Sequence, residues 1–136
     1  MLKDLQRNAW IIFFIIGLFF LFYAIDNIFV IPGLDCEDPE RGWAWLTCEP
    51  EVIDYVKYWF RMLGIWAAAA AAFTLLVSAT GFRQGQPWAW YAMWIVPLIL
   101  LSQLYFIPWF FGLYLLLIAM SLAGLALPYR RFFPEG

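Results

Sequence analysis

Four long apolar runs take up most of this chain, and its charged residues lie almost entirely between them. Hydrophobic residues make up 65% of the sequence and charged residues only 13%, whereas a soluble domain carries about 25% charged residues. A chain of 136 residues cannot hide so much apolar surface inside a soluble fold, so a lipid bilayer must solvate it. The pattern therefore predicts an integral membrane protein.

Proline and glycine residues divide the apolar runs into four predicted membrane-spanning helices, since roughly 20 apolar residues cross the hydrocarbon core. The predicted helices occupy residues 9–31, 50–80, 88–107 and 109–127. A longer loop at residues 33–49 joins the first two helices, and Pro97 is expected to kink the third. These features predict an all-α fold: a four-helix transmembrane bundle of up-down-up-down topology, in a single domain over residues 1–136.

The basic residues predict the orientation of this bundle. One side carries Lys3, Arg7, Arg83, Arg130 and Arg131, and the other carries Arg41 and Lys57. Because Lys and Arg are enriched on the cytoplasmic side of membrane proteins, both termini are expected in the cytoplasm, with the 33–49 loop outside. The predicted location is a bacterial-type inner membrane.

The outer loop and the start of the second helix are strongly acidic. The acids between residues 33 and 54 are Asp35, Glu37, Asp38, Glu40, Glu49, Glu51 and Asp54, and Arg41 is the one base. Seven acids and one base give a formal charge of −6, which argues against nucleic-acid binding. We interpret the segment as a solvated loop. The alternative is a patch that attracts cations or a basic partner.

Cys36 and Cys48, the two cysteines of the chain, both lie in this outer loop. A structural disulfide is expected there because the outer side of such a membrane is oxidising, and it would stabilise the loop by roughly 3 kcal/mol. Two reactive or metal-binding thiols are the alternative. The sequence contains no His, which excludes His-ligated haem, His-containing zinc sites and a Ser-His-Asp triad. No cofactor or metal site is predicted.

Asp26, Asn27, Arg61 and Gln103 are the polar residues that the apolar runs leave to be explained. At 1.5 Å per residue, all four are expected at a similar depth in the outer leaflet, where a charge must be paired or hydrated. Pairing of Asp26 with Arg61 is the expected solution. Two readings stay open: a buried ion pair that sets helix register, or a polar pocket that binds a headgroup, a small amphiphile or an ion.

Helical spacing predicts that Arg61 faces inward. Residues 61, 64, 68, 72 and 75 share one face of the second helix, and that face reads Arg61, Gly64, Ala68, Ala72 and Leu75. Small residues at this spacing allow transmembrane helices to approach closely. The face is therefore expected to pack against another helix rather than against lipid.

Two stretches of the sequence resemble a known group of membrane proteins. They are Gly81 to Trp94 (GFRQGQPWAWYAMW) and Tyr58 to Gly64 (YWFRMLG). A basic turn followed by a Trp-Ala-Trp-Tyr helix start is similar to small four-helix bacterial membrane proteins of the DoxX-like kind. The likeness covers about a third of the chain, and the acidic two-cysteine loop does not match that group. The resemblance implies a four-helix bundle and assigns no catalytic residue.

No catalytic motif appears in the sequence, so three functions are weighed. The first is a non-catalytic structural or accessory subunit, whose small residues contact a partner membrane protein or a second copy. Those small residues are Gly112, Ala119, Ala123 and Gly124. The second is binding or transport of a small amphiphile, lipid or ion at the Asp26 and Arg61 site. The third is a small membrane enzyme acting on a lipid or quinone, with Asp26 as acid or base.

Overall fold

The computed structural model describes residues 7–33, 48–106 and 111–134, and within these ranges the chain is helical and contains no strand. Helix α1 spans Trp10–Ile25 and continues through a π-turn, Asp26–Val30, into a 3-10 turn, Ile31–Gly33. Helix α2 spans Pro50–Val77 and continues into a second π-turn, Ser78–Phe82. The later helices are α3 Pro87–Met93, α4 Ile95–Phe106, α5 Phe111–Ala126 and α6 Tyr129–Phe132. The predicted all-α class is confirmed.

Three helical segments are long and apolar enough to cross a membrane. They are Trp10–Gly33 with 24 residues, Pro50–Phe82 with 33 residues and Pro87–Tyr105 with 19 residues. Helix α5 coincides with the predicted fourth span, but its 16 residues reach about 24 Å, less than the roughly 30 Å hydrocarbon core. Residues 107–110, which complete that predicted span, lie outside the described residues. The four-helix bundle topology therefore stays a prediction.

The third predicted span is broken close to Pro97, as expected. Helix α3 ends at Met93 and α4 begins at Ile95, with a turn at Trp94 between them. Proline lacks the N–H that would bond to the carbonyl four residues back, and its ring clashes with that carbonyl. For Pro97 that carbonyl belongs to Met93, so the α-helix is interrupted there. At the break, the Trp94 N–H bonds to Tyr91 O, three residues back, at 3.2 Å and not to the carbonyl of Trp90.

The chain divides into two compact units. Unit one comprises Met1–Leu18 and Ala72–Gly136, and unit two comprises Phe19–Ala71. The core of unit one contains a row of rings: Phe82 contacts Phe13 edge-on with centroids 5.0 Å apart, and it contacts Phe132 at 4.8 Å. Helices α4 and α5 pack along each other in this unit. The single domain over residues 1–136 stays a prediction.

Trp90 anchors the C-terminal helix α6 within unit one. Its indole Nε1 donates to Leu125 O at 2.9 Å, in the last turn of α5. Its ring lies edge-on to Tyr129 and to Phe133, with centroids 5.6 and 5.4 Å apart. A partly buried indole needs a hydrogen-bond acceptor as well as apolar neighbours. Leu125 O at the end of α5 is the acceptor, and the rings of Tyr129 and Phe133 are the neighbours. Trp90 of α3 therefore links the end of α5 to the C-terminal segment.

Candidate functional site

The polar pair Asp26-Asn27 lies where α1 changes from α-helix to π-turn. The Ile31 N–H bonds to Asp26 O, five residues back. Asn27 is 1% exposed, and its Nδ2 donates to Tyr23 O at 2.8 Å. That carbonyl is the one an α-helix would pair with the Asn27 backbone N–H, so the side chain competes with the helix for it. Such π-turns are frequent at functional sites.

Gly64 of α2 lies against this part of α1. A Cβ atom on Gly64 would stand 2.5 Å from Ile28 Cγ1 and 2.9 Å from Ala24 O. The second of these atoms is backbone, so no side-chain movement could relieve the overlap. Gly64 therefore lets the two helices touch, level with Asp26, as expected of a small-residue face.

Arg61 does not face inward, contrary to the prediction. Its side chain is exposed, as is Ala72 on the same predicted face, while Gly64 is buried. At 100° per residue, Arg61 lies about 60° around the helix from Gly64. The buried side of α2 is centred beyond Gly64, on Ala71 and Thr74. Arg61 thus falls on the edge of the exposed side.

The expected ion pair between Asp26 and Arg61 is not formed. Neither side chain makes a hydrogen bond or an ion pair within the described part of the chain. Arg61 lies on the edge of the exposed side of α2, about 60° around the helix from the contact that Gly64 makes with Ala24 and Ile28. The ligand-binding role of both residues stays a prediction.

Gln103 belongs to unit one, whereas Asp26, Asn27 and Arg61 belong to unit two. Gln103 is half-buried on α4, and its Oε1 atom is buried without a hydrogen-bond partner among the described residues. A buried acceptor without a donor is unfavourable by about 1–3 kcal/mol. Its participation in a site with the other three residues stays a prediction.

The predicted disulfide falls partly outside the described residues. Cys48, which precedes α2, is not a free thiol. Cys36, with Arg41 and most of the acidic loop, lies in residues 34–47, which the structure does not describe. The pairing of Cys36 with Cys48 therefore stays a prediction.

Arg131 joins three segments at one end of unit one, a role that the sequence analysis did not identify. Its Nη2 donates to Arg83 O at 2.6 Å and its Nη1 donates to Arg7 O at 3.2 Å. The guanidinium of Arg83 lies over the Trp10 ring, 5.2 Å from the centroid. Gly85, with a φ of +77°, packs against the Arg131 side chain. The one sequence signal for this arrangement among the described residues is Gly85 itself, a glycine between two glutamines in a basic turn.

Comparison of the chain with protein-family models, with curated proteins and with solved structures finds no match. A function must therefore be inferred from the residues and their geometry. Two features are available for this purpose: the exposed surface of the apolar helices, and the charges of α1 and α2 that have no partner within the described chain.

Proposed function

We propose that this chain is a non-catalytic integral membrane protein that acts by packing against another transmembrane helix, as a structural or accessory subunit or with a second copy of itself. The supporting observation is a set of exposed small residues on one side of α5, called here the α5 stripe, which Leu116 interrupts. Gly112, Ala119 and Ala123 recur on one side of this helix, and all three are exposed. A Cβ on Gly112 would meet no described atom within 4 Å.

Gly124, about a quarter-turn around α5 from Ala123, shows what such a small residue does when it is covered. A Cβ on Gly124 would lie 2.9 Å from Phe13 Cε2, so a neighbouring side chain already fills the space beside Gly124. In lipid, where apolar surface alone drives no association, close backbone approach at small residues is a principal source of helix pairing. The small residues of the α5 stripe would allow such a close approach, and they are exposed.

The proposal includes the complete membrane arrangement. Helix α5 forms the fourth span of an up-down-up-down bundle like that of the DoxX-like proteins, and both termini lie in the cytoplasm of a bacterial-type cell. The convergence of Arg7, Arg83 and Arg131 at one end of unit one supports this orientation, since basic residues favour the cytoplasmic side. The Cys36–Cys48 disulfide belongs to the outer loop of this arrangement.

Substitution on the stripe tests the proposed association. Ala119→Leu inserts a branched side chain into the close contact, whereas Leu122→Phe adds bulk to an exposed α5 residue off the stripe. Each variant is extracted in a mild detergent, and its mass and bound proteins are measured by light scattering and native mass spectrometry. We expect Ala119→Leu alone to release the partner or the second copy. A wild-type chain that is monomeric and free of other proteins would overturn the proposal.

A second candidate function is the binding of a small amphiphile beside α1 and α2. It is favoured by the charges of Asp26 and Arg61, which have no partner within the described chain. A charge within a membrane-spanning segment must be hydrated, paired or neutralised by a ligand. Asp26→Ala tests this function when thermal stability and lipid retention are measured together. A loss of stability with unchanged retention would exclude a binding role for Asp26.

A further inference from the structure

Two cations lie one turn apart near the outer end of α2, on the side where Arg61 is exposed. Lys57 is half-buried and Arg61 is exposed, and their spacing of four residues places them next to each other on the helix surface. Like charges at this spacing repel each other. Neither side chain has a hydrogen-bond or ion-pair partner within the described part of the chain.

The position of Arg61 along the span matches the level of lipid phosphates. The Pro50–Phe82 span has 33 residues, and residues 62–82 follow Arg61. These 21 residues reach about 32 Å at 1.5 Å per residue, which is the approximate thickness of the hydrocarbon core. A span that ends at the inner boundary therefore places Arg61 at the outer one, with Lys57 a turn further out.

The surroundings of the two cations are those of a membrane interface. Tyr58, between them in sequence, is 57% exposed, and Ile65, one turn below Arg61, is 55% exposed. Tyrosine is enriched at the headgroup level and isoleucine in the hydrocarbon. Arg61 thus lies where an exposed polar surface meets an exposed apolar one. The phosphate of a phospholipid lies at the same kind of boundary, between its headgroup and its acyl chains.

We propose that Lys57 and Arg61 bind the phosphodiester of an outer-leaflet phospholipid, whose acyl chains lie along the exposed apolar side of α2 below Arg61. A guanidinium donates two parallel hydrogen bonds to phosphate oxygens, and the ammonium of Lys57 adds a point charge. The shared anion removes the repulsion between the two cations. The inference rests on the second candidate function and names its ligand class.

The amount of lipid that the purified protein retains tests the proposed site. The purified full chain is delipidated and supplied with phosphatidylglycerol, with a phosphate-free galactosyl diacylglycerol, or with inorganic phosphate alone. Retained lipid is counted by native mass spectrometry, and the melting temperature is recorded. The variants are Lys57→Gln, Arg61→Gln and the double variant. Arg130→Gln is the matched control, because Arg130 is also exposed and has no hydrogen-bond or ion-pair partner within the described residues.

We expect the wild type and Arg130→Gln to retain the phospholipid and to melt at a higher temperature with it. Arg61→Gln should weaken retention roughly tenfold, as the loss of a charged hydrogen bond does, and the double variant should weaken it further. The galactosyl lipid and free phosphate should give neither effect. A variant that melts like the delipidated wild type is folded, so its loss of retention reports on the site.

Three results would overturn the inference. Equal retention of the galactosyl lipid would show that phosphate is not recognised. If Arg61→Gln still lowered retention of the galactosyl lipid, the second candidate function would stand, with a ligand class other than a phospholipid. An equal rise in melting temperature with inorganic phosphate would identify a free anion as the ligand. Wild-type protein that retains no lipid at all would remove both the inference and the second candidate function.

Discussion

Gly64 sets how closely α1 and α2 approach in unit two. Gly64→Ala is expected to lower the free energy of unfolding by about 1–3 kcal/mol, the usual effect of overpacking, because the added Cβ would lie 2.9 Å from Ala24 O. Thermal unfolding in detergent micelles measures the change. The control is Gly33→Ala, at the end of the 3-10 turn, since the Cβ there meets no described atom within 4 Å. It should be neutral or stabilising by up to about 1 kcal/mol, and equal effects at both glycines would contradict the close contact.

Arg131 is expected to contribute more to stability than its neighbour Arg130. Arg131→Lys keeps the charge but loses the fork that reaches two carbonyls at once, so we expect unfolding to become easier by about 1–3 kcal/mol. Arg130→Lys should change stability by less than about 0.5 kcal/mol, because that side chain is exposed. In limited proteolysis, the C-terminal segment of Arg131→Lys should be cleaved faster than that of the wild type. Identical melting temperatures for the two variants would exclude the bridging role.

Trp90 offers a third comparison at the residue scale. Trp90→Phe keeps an aromatic ring beside Tyr129 and Phe133 but removes the donor to Leu125 O. An acceptor left without its donor costs about 1–3 kcal/mol, so the melting temperature should fall by several degrees. The control is Trp66→Phe, because Trp66 is 70% exposed and its indole makes no hydrogen bond within the described part of the chain. A smaller effect at Trp90 than at Trp66 would contradict the anchoring role.

At the scale of the helix, Pro97 accounts for the break between α3 and α4. Pro97→Ala provides an N–H for Met93 O, so the two helices should join into one continuous helix through Trp94, with a gain of about 1 kcal/mol from the added hydrogen bond. Spin labels placed at Trp88 and Leu101 would report a longer distance in this variant. An unchanged distance would mean that packing, and not the proline, bends the span.

Element boundaries were largely predictable, because the residues that end helices act locally. The second helix was predicted to begin at residue 50 and does so, and Pro87 begins α3. The two π-turns were not predicted. At Asp26–Val30 the turn depends on a side chain competing for a carbonyl, and at Ser78–Phe82 it accompanies the packing of Gly81 against Trp88. Neither the hydropathy nor the length of an apolar run indicates where a π-turn will form.

For the whole molecule, the proposed orientation predicts which surfaces a water-soluble reagent reaches. In a background where both cysteines are replaced by serine, Gln84→Cys lies on the predicted inner side and Glu51→Cys on the outer side; both positions are exposed. An impermeant maleimide added to intact spheroplasts should label Glu51→Cys at least tenfold faster than Gln84→Cys. Lysis should make the two rates similar. Faster labelling at Gln84 before lysis would invert the orientation.

In the candidate site, the sequence indicates which residues are unusual but not how they are oriented. Asp26 and Arg61 were recognised as the charges that needed explaining, and counting residues placed Gly64 correctly at a helix contact. The predicted ion pair is not formed, because Arg61 is exposed, about 60° around α2 from Gly64. The sequence placed Lys57 only on the outer side of the membrane. Its proposed role in binding phosphate depends on the exposure of Arg61 one turn away.

Hydropathy, length and the places of proline and glycine determined by themselves that this chain is helical, with helices long and apolar enough to cross a membrane, because each of these properties acts over one or a few helical turns. Only the tertiary structure decided which way each helix is turned about its axis. That rotation follows from the fit between neighbours: Gly64 enters a contact that tolerates no Cβ. The buried side of α2 is centred beyond Gly64, on Ala71 and Thr74, which leaves Arg61 on the edge of the exposed side.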